Sequence, residues 1–513
     1  MLQTLSGDEV AAGAAAEALS AVLEGGGPRA ALEALGTEPQ ARGRLATLRR
    51  LLTSRLGEGG EGPGCPTEGP APETGRADGA ASAVAALLVA GGDSAAMVVR
   101  SGVGQQLADA VAGPLPSARS LSPRGLVAAV QGLLCLVSPW CIGPRVMMTP
   151  GLAQHLARLL EAPHVGNILA WPAHLGGGQD GVDALVGSVS ALVGKSLGEP
   201  GDASQQGGAT LQIVLQAGAL SSLTSALPAV SRAALPGPVS LVFRLVTSST
   251  PFLAQFVEAG GLAAPLLAAL LSPGNPPGML SDALLAVSQV ARVNRSHYEG
   301  LGKGRVHALL APLLQHPDAV VRARACNLVG NLCRHSQYFY TALEREGLMD
   351  VLVGLCSDAD AATRKFACFA IGNAGFHTDL LYRHLRRAVR PLVGLLGSEE
   401  DKTLANAAGA LGNLVRNSDS LCGEIVESGA LEALMGVVER GEGAPQPDGS
   451  SPLKVALFSL GNMCAYPQCR GALLGAPFQA LVRRLAQSPD ATTQKYAQRI
   501  LTKLAASSGA PAR

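Results

Sequence analysis

The sequence predicts an all-α fold, a solenoid of stacked helical repeats, and three observations carry that prediction. Apolar residues recur at i, i+3, i+4 and i+7, as in Ala325, Leu328, Val329 and Leu332, which draws one stripe down a helix. A Gly-led, Leu-rich segment and a longer helix ending in Gly-Asn return together every forty or so residues. The 513 residues are 47% hydrophobic but only 3% aromatic, with 63 Gly, a composition suited to close helix packing rather than to a large aromatic pocket. Charged residues make up 15%, against roughly 25% in a typical soluble domain.

In chain order, residues 1–56 read as an N-terminal helical segment with Arg42, Arg44, Arg49, Arg50 and Arg55 clustered. Residues 57–80 are rich in Gly, Pro and Glu, cannot bury apolar surface, and are expected to form a disordered linker. Residues 81–300 carry degenerate repeats and 301–505 regular ones, followed by a disordered tail at 506–513. The Gly-led element starts at Gly102, Gly151, Gly218, Gly260, Gly304, Gly347 and Gly429; the copy from Arg386 lacks its glycine. The Gly-Asn helix places asparagines at Asn331, Asn373, Asn413 and Asn462, with steps of 42, 40 and 49, the last lengthened by an insertion at 440–452. Weaker copies centre on Arg244 and Gln289. A period of 40–47 residues is that of armadillo or HEAT repeats.

Each of those asparagines follows a glycine: Gly330, Gly372, Gly412 and Gly461. A mid-helix Gly costs about 1 kcal/mol relative to Ala. Four such placements in one register therefore predict a neighbouring helix too close for a side chain. Each unit reads as a short helix, a Gly turn, a Leu-rich helix, an Asp-bearing loop (Asp318, Asp358, Asp360) and the long Gly-Asn helix.

Net charge is +1, so no global field recruits nucleic acid or a membrane surface, although residues 1–300 hold 17 Lys+Arg against 21 Asp+Glu and residues 301–513 hold 23 against 18. The ten cysteines include no CxxC pair and fall mostly in apolar helices, which suggests reduced, buried thiols and a cytoplasmic protein. The N-terminus lacks a basic n-region and carries Asp8 and Glu9, so no signal peptide is expected. Gly125 to Pro144 is long enough to cross a bilayer, but its Gln131, Ser138 and Pro139 favour a buried helix.

No catalytic centre is legible. GEGGEG at Gly57–Gly62 satisfies GxGxxG only within a linker, with no strand before it. Gly194-Lys195-Ser196 resembles the end of a phosphate-binding loop, but Val189 stands where that loop needs glycine. HExxH, HRD, DFG and zinc-finger spacings are absent, and neither a cofactor, a metal nor a small-molecule substrate is expected.

Two surface features point to protein partners bound along a concave groove. Asn331, Asn373, Asn413 and Asn462, stacked in register, could offer side-chain amides to the backbone of an extended peptide; the competing role is to brace neighbouring backbone inside the stack. Arg383, Arg386, Arg387 and Arg390 fall at i, i+3, i+4 and i+7 and could form a basic stripe for an acidic segment, unless a turn splits it.

The stretches ARACNLVGNLCRHS, RKFACFAIGNAGFHTDLLY and KTLANAAGALGNLVRNSDSLC, between Ala323 and Cys422, resemble the armadillo-type repeats at the C-terminal end of the Fused family of serine/threonine kinases. The likeness is strong from about residue 300 to 470, and only the repeat rhythm persists upstream. Fused-family proteins carry an N-terminal kinase domain, and none of its motifs is present. The resemblance therefore implies a non-catalytic scaffold, a fragment of a longer kinase, or an architectural ciliary or cytoskeletal protein. It also implies settings in Hedgehog signalling, cilium assembly or cytokinesis. In importin-like armadillo proteins a Trp four residues before each Asn helps bind basic peptides; here those positions are Asn327, Phe369, Gly409 and Phe458.

Overall fold

A computed structural model describes residues 15–16, 30–31, 33–53, 74–111, 121–137, 148–198, 205–442 and 451–505. Every regular element among the described residues is helical, so the predicted all-α class holds. The chain divides into two compact units, Met1–Gly261 and Leu262–Arg513. This division falls earlier than the change at residues 300/301 read from repeat regularity.

In Met1–Gly261 four long helices pack in succession: α1 (Thr74–Ala90), α2 (Pro123–Leu136), α3 (Gly178–Ser196) and α4 (Pro236–Ser248). Helix α1 begins inside the stretch read as linker, because Ala80, Ala81, Ala83 and Val84 are all fully buried once they face α2. Residues 57–73, Cys65 and the 506–513 tail lie outside the described residues. Helix α2 starts where Ser122 accepts a hydrogen bond from the Gly125 N–H and Pro123 takes the first turn. The Ser122 N–H in turn donates to the buried carboxylate of Asp78 on α1, at 2.9 Å. Helix α2 accounts for only part of Gly125–Pro144. No single helix among the described residues is long and apolar enough to cross a membrane; the pair Gly207–Gln216 and Ala219–Ala229, bent by 64°, meets that length and composition only when taken together.

In Leu262–Arg513 six long helices continue the same scheme within the unit: α5 (Pro277–Val293), α6 (Ala319–Leu332), α7 (Ala361–Ala374), α8 (Asp401–Asn413), α9 (Pro452–Met463) and α10 (Ala491–Ala505). Two of the loop aspartates cap the helices that follow them. Asp318 accepts from Val320 and Val321 at the start of α6, and Asp360 from Thr363 in α7. The preceding short helices turn at Gly347 (φ 68°) and Gly429 (φ 73°), left-handed positions that a side chain rarely tolerates.

The close approach expected at the Gly-Asn register is uneven. A Cβ at Gly412 would sit 2.7 Å from Ser459 Cα, and one at Gly330 would strike the Phe369 ring. At Gly372 and Gly461 the nearest atoms, Ala410 Cα at 3.4 Å and Ile500 Cγ1 at 3.6 Å, are in ordinary contact.

Candidate functional site

The last carbonyls of an α-helix have no partner within it. In Leu262–Arg513 the next repeat supplies one. Asn373 Nδ2 donates to the Gly330 carbonyl at 2.9 Å, Asn413 to Gly372 at 2.9 Å, and Asn462 to Gly412 at 3.3 Å. Lys503 Nζ takes the same place on α10, donating to the Gly461 carbonyl at 2.6 Å. Asn331 differs in donating to Ser288 Oγ at 2.7 Å and to Asn327 Oδ1 at 3.2 Å. The bracing role weighed for the ladder is therefore real, and in Asn373, Asn413 and Asn462 it takes one of the two amide N–H donors.

Exposure separates the four asparagines. Asn331 and Asn462 are only 2% and 7% exposed, and the Asn462 oxygen already accepts from Arg499. Asn373 and Asn413 are half-buried, and their Oδ1 atoms take no hydrogen bond among the described residues, although each has capacity to accept. The accessible part of the ladder is thus this pair of amides, through their carbonyl oxygens above all.

A second series supports the first and was missed in the sequence. The hydroxyls of Tyr298, Tyr340 and Tyr382 donate to the main-chain carbonyls of Asn331, Asn373 and Asn413 at 2.6, 2.6 and 2.5 Å. Each accepts in return from a loop N–H, of His335, His377 or Asn417, at 3.1 to 3.3 Å. Burial pushes the phenol of Tyr298 up to about 12 and raises those of Tyr340 and Tyr382. The signal was available: these tyrosines stand 42 residues apart, 31 to 33 residues before their asparagines.

At 3.6 residues per turn, the positions eleven, seven and four before each asparagine share its helix face; the residue three after it, Arg334, Phe376 or Arg416, lies in the turn just past the helix end. Contacts between repeats confirm that register. The Arg416 guanidinium lies 3.9 Å from the Phe376 ring centroid, Arg499 lies 5.4 Å from that of Phe458, and the Phe458 and Tyr496 rings are 5.6 Å apart.

The arginine segment is split as the sequence allowed. A 3-10 turn at Arg386–Ala388 separates the helices Tyr382–Leu385 and Val389–Leu395. Arg383 pairs with Glu344 at 2.6 Å and Arg386 with Glu424 at 2.9 Å, on the two flanking repeats, while Arg387 and Arg390 stay exposed. Among the described residues no cluster of His, Cys, Asp and Glu could hold a metal. Cys326, Cys333 and Cys368 are buried free thiols, and burial raises the pKa of the first two out of the reactive range.

The Armadillo/beta-catenin-like repeat family model matches residues 383–416. The serine/threonine-protein kinase TIO of Arabidopsis thaliana is 35% identical over 433 residues, which is 76% of this chain and 32% of TIO. Serine/threonine-protein kinase 36 of Pongo abelii is 32% identical over 233 residues, 44% of this chain and 17% of that protein. The chain thus spans about a third or less of the relatives it matches, and what it matches is their armadillo part. An engineered protein of known crystal structure superposes with a TM-score of 0.55 over 98% of both chains at 19% identity, a likeness of fold alone.

Proposed function

We propose that this armadillo-repeat chain is a non-catalytic scaffold that captures extended segments of partner proteins on the asparagine face of Leu262–Arg513. The observation that carries the reading is the pair Asn373 and Asn413. Each spends one N–H on the preceding repeat while its oxygen stays open in the same register. An extended peptide presents N–H donors along its length, and such a row of acceptors holds it without reading its sequence. Likeness to TIO and to serine/threonine-protein kinase 36 supports a role beside a serine/threonine kinase; the Hedgehog, ciliary or cytokinetic setting is what the Fused resemblance implies, and a cytoplasmic place is what the cysteine usage suggests. The limited share of TIO that is matched favours a second reading, in which this scaffold works joined to a kinase domain.

Selection of a random peptide-display library on the full chain tests the first reading. Binders should enrich, and N373A/N413A should weaken them at least tenfold. The control is Arg322→Met, which breaks the 2.9 Å pair with Asp358 off that face and should lower thermal stability without weakening binding. Equal loss in both variants would mean that the asparagines only brace the stack.

A further inference from the structure

The asparagine face carries an uncompensated charge that the chain's net charge conceals. On α6 to α10, with Lys503 in the asparagine position of α10, its cations are Arg324, Arg334, Lys402, Arg416, Arg499 and Lys503, and no Asp or Glu shares it. All six are exposed or half-buried. Three acids near these helices pair with bases off the face, Asp358 with Arg322, Glu400 with Lys365 and Asp490 with Lys454, at 2.9, 2.6 and 2.9 Å, while Asp401, next to Lys402 in sequence, is in none of these pairs. Those pairs join one repeat to the next, whereas the six have no carboxylate partner among the described residues. Arg324 Nε is a buried donor with nothing to bond. The ammonium of Lys503 is made more acidic by burial first and by the charge of Arg499 second.

Aromatic groups bracket this charge. Phe366, Phe369 and Phe376 follow one another on the face of the α7 repeat, and Phe458 meets Tyr496 two repeats on. Between them the α8 repeat offers Asn406, Gly409 and Asn413, a low floor edged by Lys402 and Arg416. With packed helices about 10 Å apart, the two aromatic sites are separated by about 20 Å. An extended chain covers that in roughly six residues.

We propose that this face takes an extended acidic peptide, its carboxylates set against Lys402 and Arg416 and flanked on each side by an apolar or aromatic residue. The inference rests on the function proposed above and names the class of partner. Arginine forks and lysine ammoniums match carboxylates, and the aromatic rings bury the flanking side chains. Single-stranded nucleic acid would also satisfy cations and rings, but its backbone has no N–H to meet the open Asn373 and Asn413 oxygens. Six cations spread over five repeats are also sparse against a polyphosphate.

The experiment scores the enriched display peptides by charge, then titrates the full chain by fluorescence anisotropy with a labelled peptide. That peptide carries Phe near each end and four acidic residues between. The expected result is enrichment of acidic sequences, at least tenfold weaker binding of the Gln/Asn isostere, and a further loss with added salt. K402E/R416E should lose at least tenfold toward the acidic peptide while keeping its helical circular dichroism, and R483E, off the face, should not. Preference for neutral or basic peptides that still depends on Asn373 and Asn413 overturns the charge assignment and leaves the peptide-binding reading standing. Tighter binding of a single-stranded oligonucleotide overturns the assignment too, and no peptide enrichment at all overturns both.

Discussion

Met1–Gly261 and Leu262–Arg513 close the open carbonyls at the ends of their long helices by the same geometric rule with different chemistry. In the first unit the guanidinium of Arg244 on α4 donates to Gly194, Leu197 and Gly198 at 2.8, 3.0 and 2.6 Å. In the second, neutral asparagines reach one carbonyl each and a tyrosine hydroxyl secures the next. The lesson is that stacking fixes where a donor must arrive, and several side chains can deliver it. One fork covering three carbonyls tolerates an irregular helix end. One amide per carbonyl demands that every repeat hold its register, and from Asn373 to Asn462 that demand is met by the same residue type.

Breaking the comparison hardest should be Gly412→Ala, whose methyl would meet Ser459 backbone; it should cost Leu262–Arg513 about 2 kcal/mol, seen as faster hydrogen exchange in α8 and α9. Arg244→Met removes a charged donor from three carbonyls and should cost Met1–Gly261 about 1.5 to 3 kcal/mol by the same measurement, with α8 and α9 unchanged. Tyr340→Phe should cost the second unit about 1 kcal/mol in denaturant titration, because a carbonyl and a loop N–H lose their partner.

A pH titration sharpens the contrast. All six tyrosines lie beyond residue 297, and the folded state holds Tyr298 near 12 against an ordinary 10.0. A raised phenol pKa means that the native chain keeps its proton longer than the unfolded one. Stability from this source is then intact below pH 10 and falls as pH rises toward 12. Helix α6 should lose exchange protection over that window while α2 and α3 keep theirs. The smallest effect expected is a gain. Gly187 lies inside α3, and a Cβ added there would meet no atom within 4 Å, so Gly187→Ala should add about 0.5 to 1 kcal/mol of stability by thermal melting.

The Gly-Asn register was legible because residue type and spacing repeat together from Asn331 to Asn462. Where geometry persists but chemistry changes, the signal fades. Lys503 does the work of an asparagine and Arg244 that of several, so neither reads as a repeat mark of equal strength. The tyrosines were missed for another reason: their 42-residue period was there to see, but nothing in a sequence marks which main-chain carbonyl a hydroxyl will reach. The basic face escaped notice because its cations come from different positions on successive helices, and only stacking brings them together. The Arg383–Arg390 series failed oppositely: contiguous in sequence, it is cut by a turn and partly spent on Glu344 and Glu424.

The bond from Asn462 to Gly412 spans 50 residues, whereas those from Asn373 and Asn413 span 43 and 41. Additional chain between Glu442 and Ser451 has therefore been absorbed without displacing the next helix by a turn. A fluorophore tag or a second binding module spliced between Glu442 and Ser451 should leave the Asn462–Gly412 bond, and with it the spacing of the asparagine row, in place.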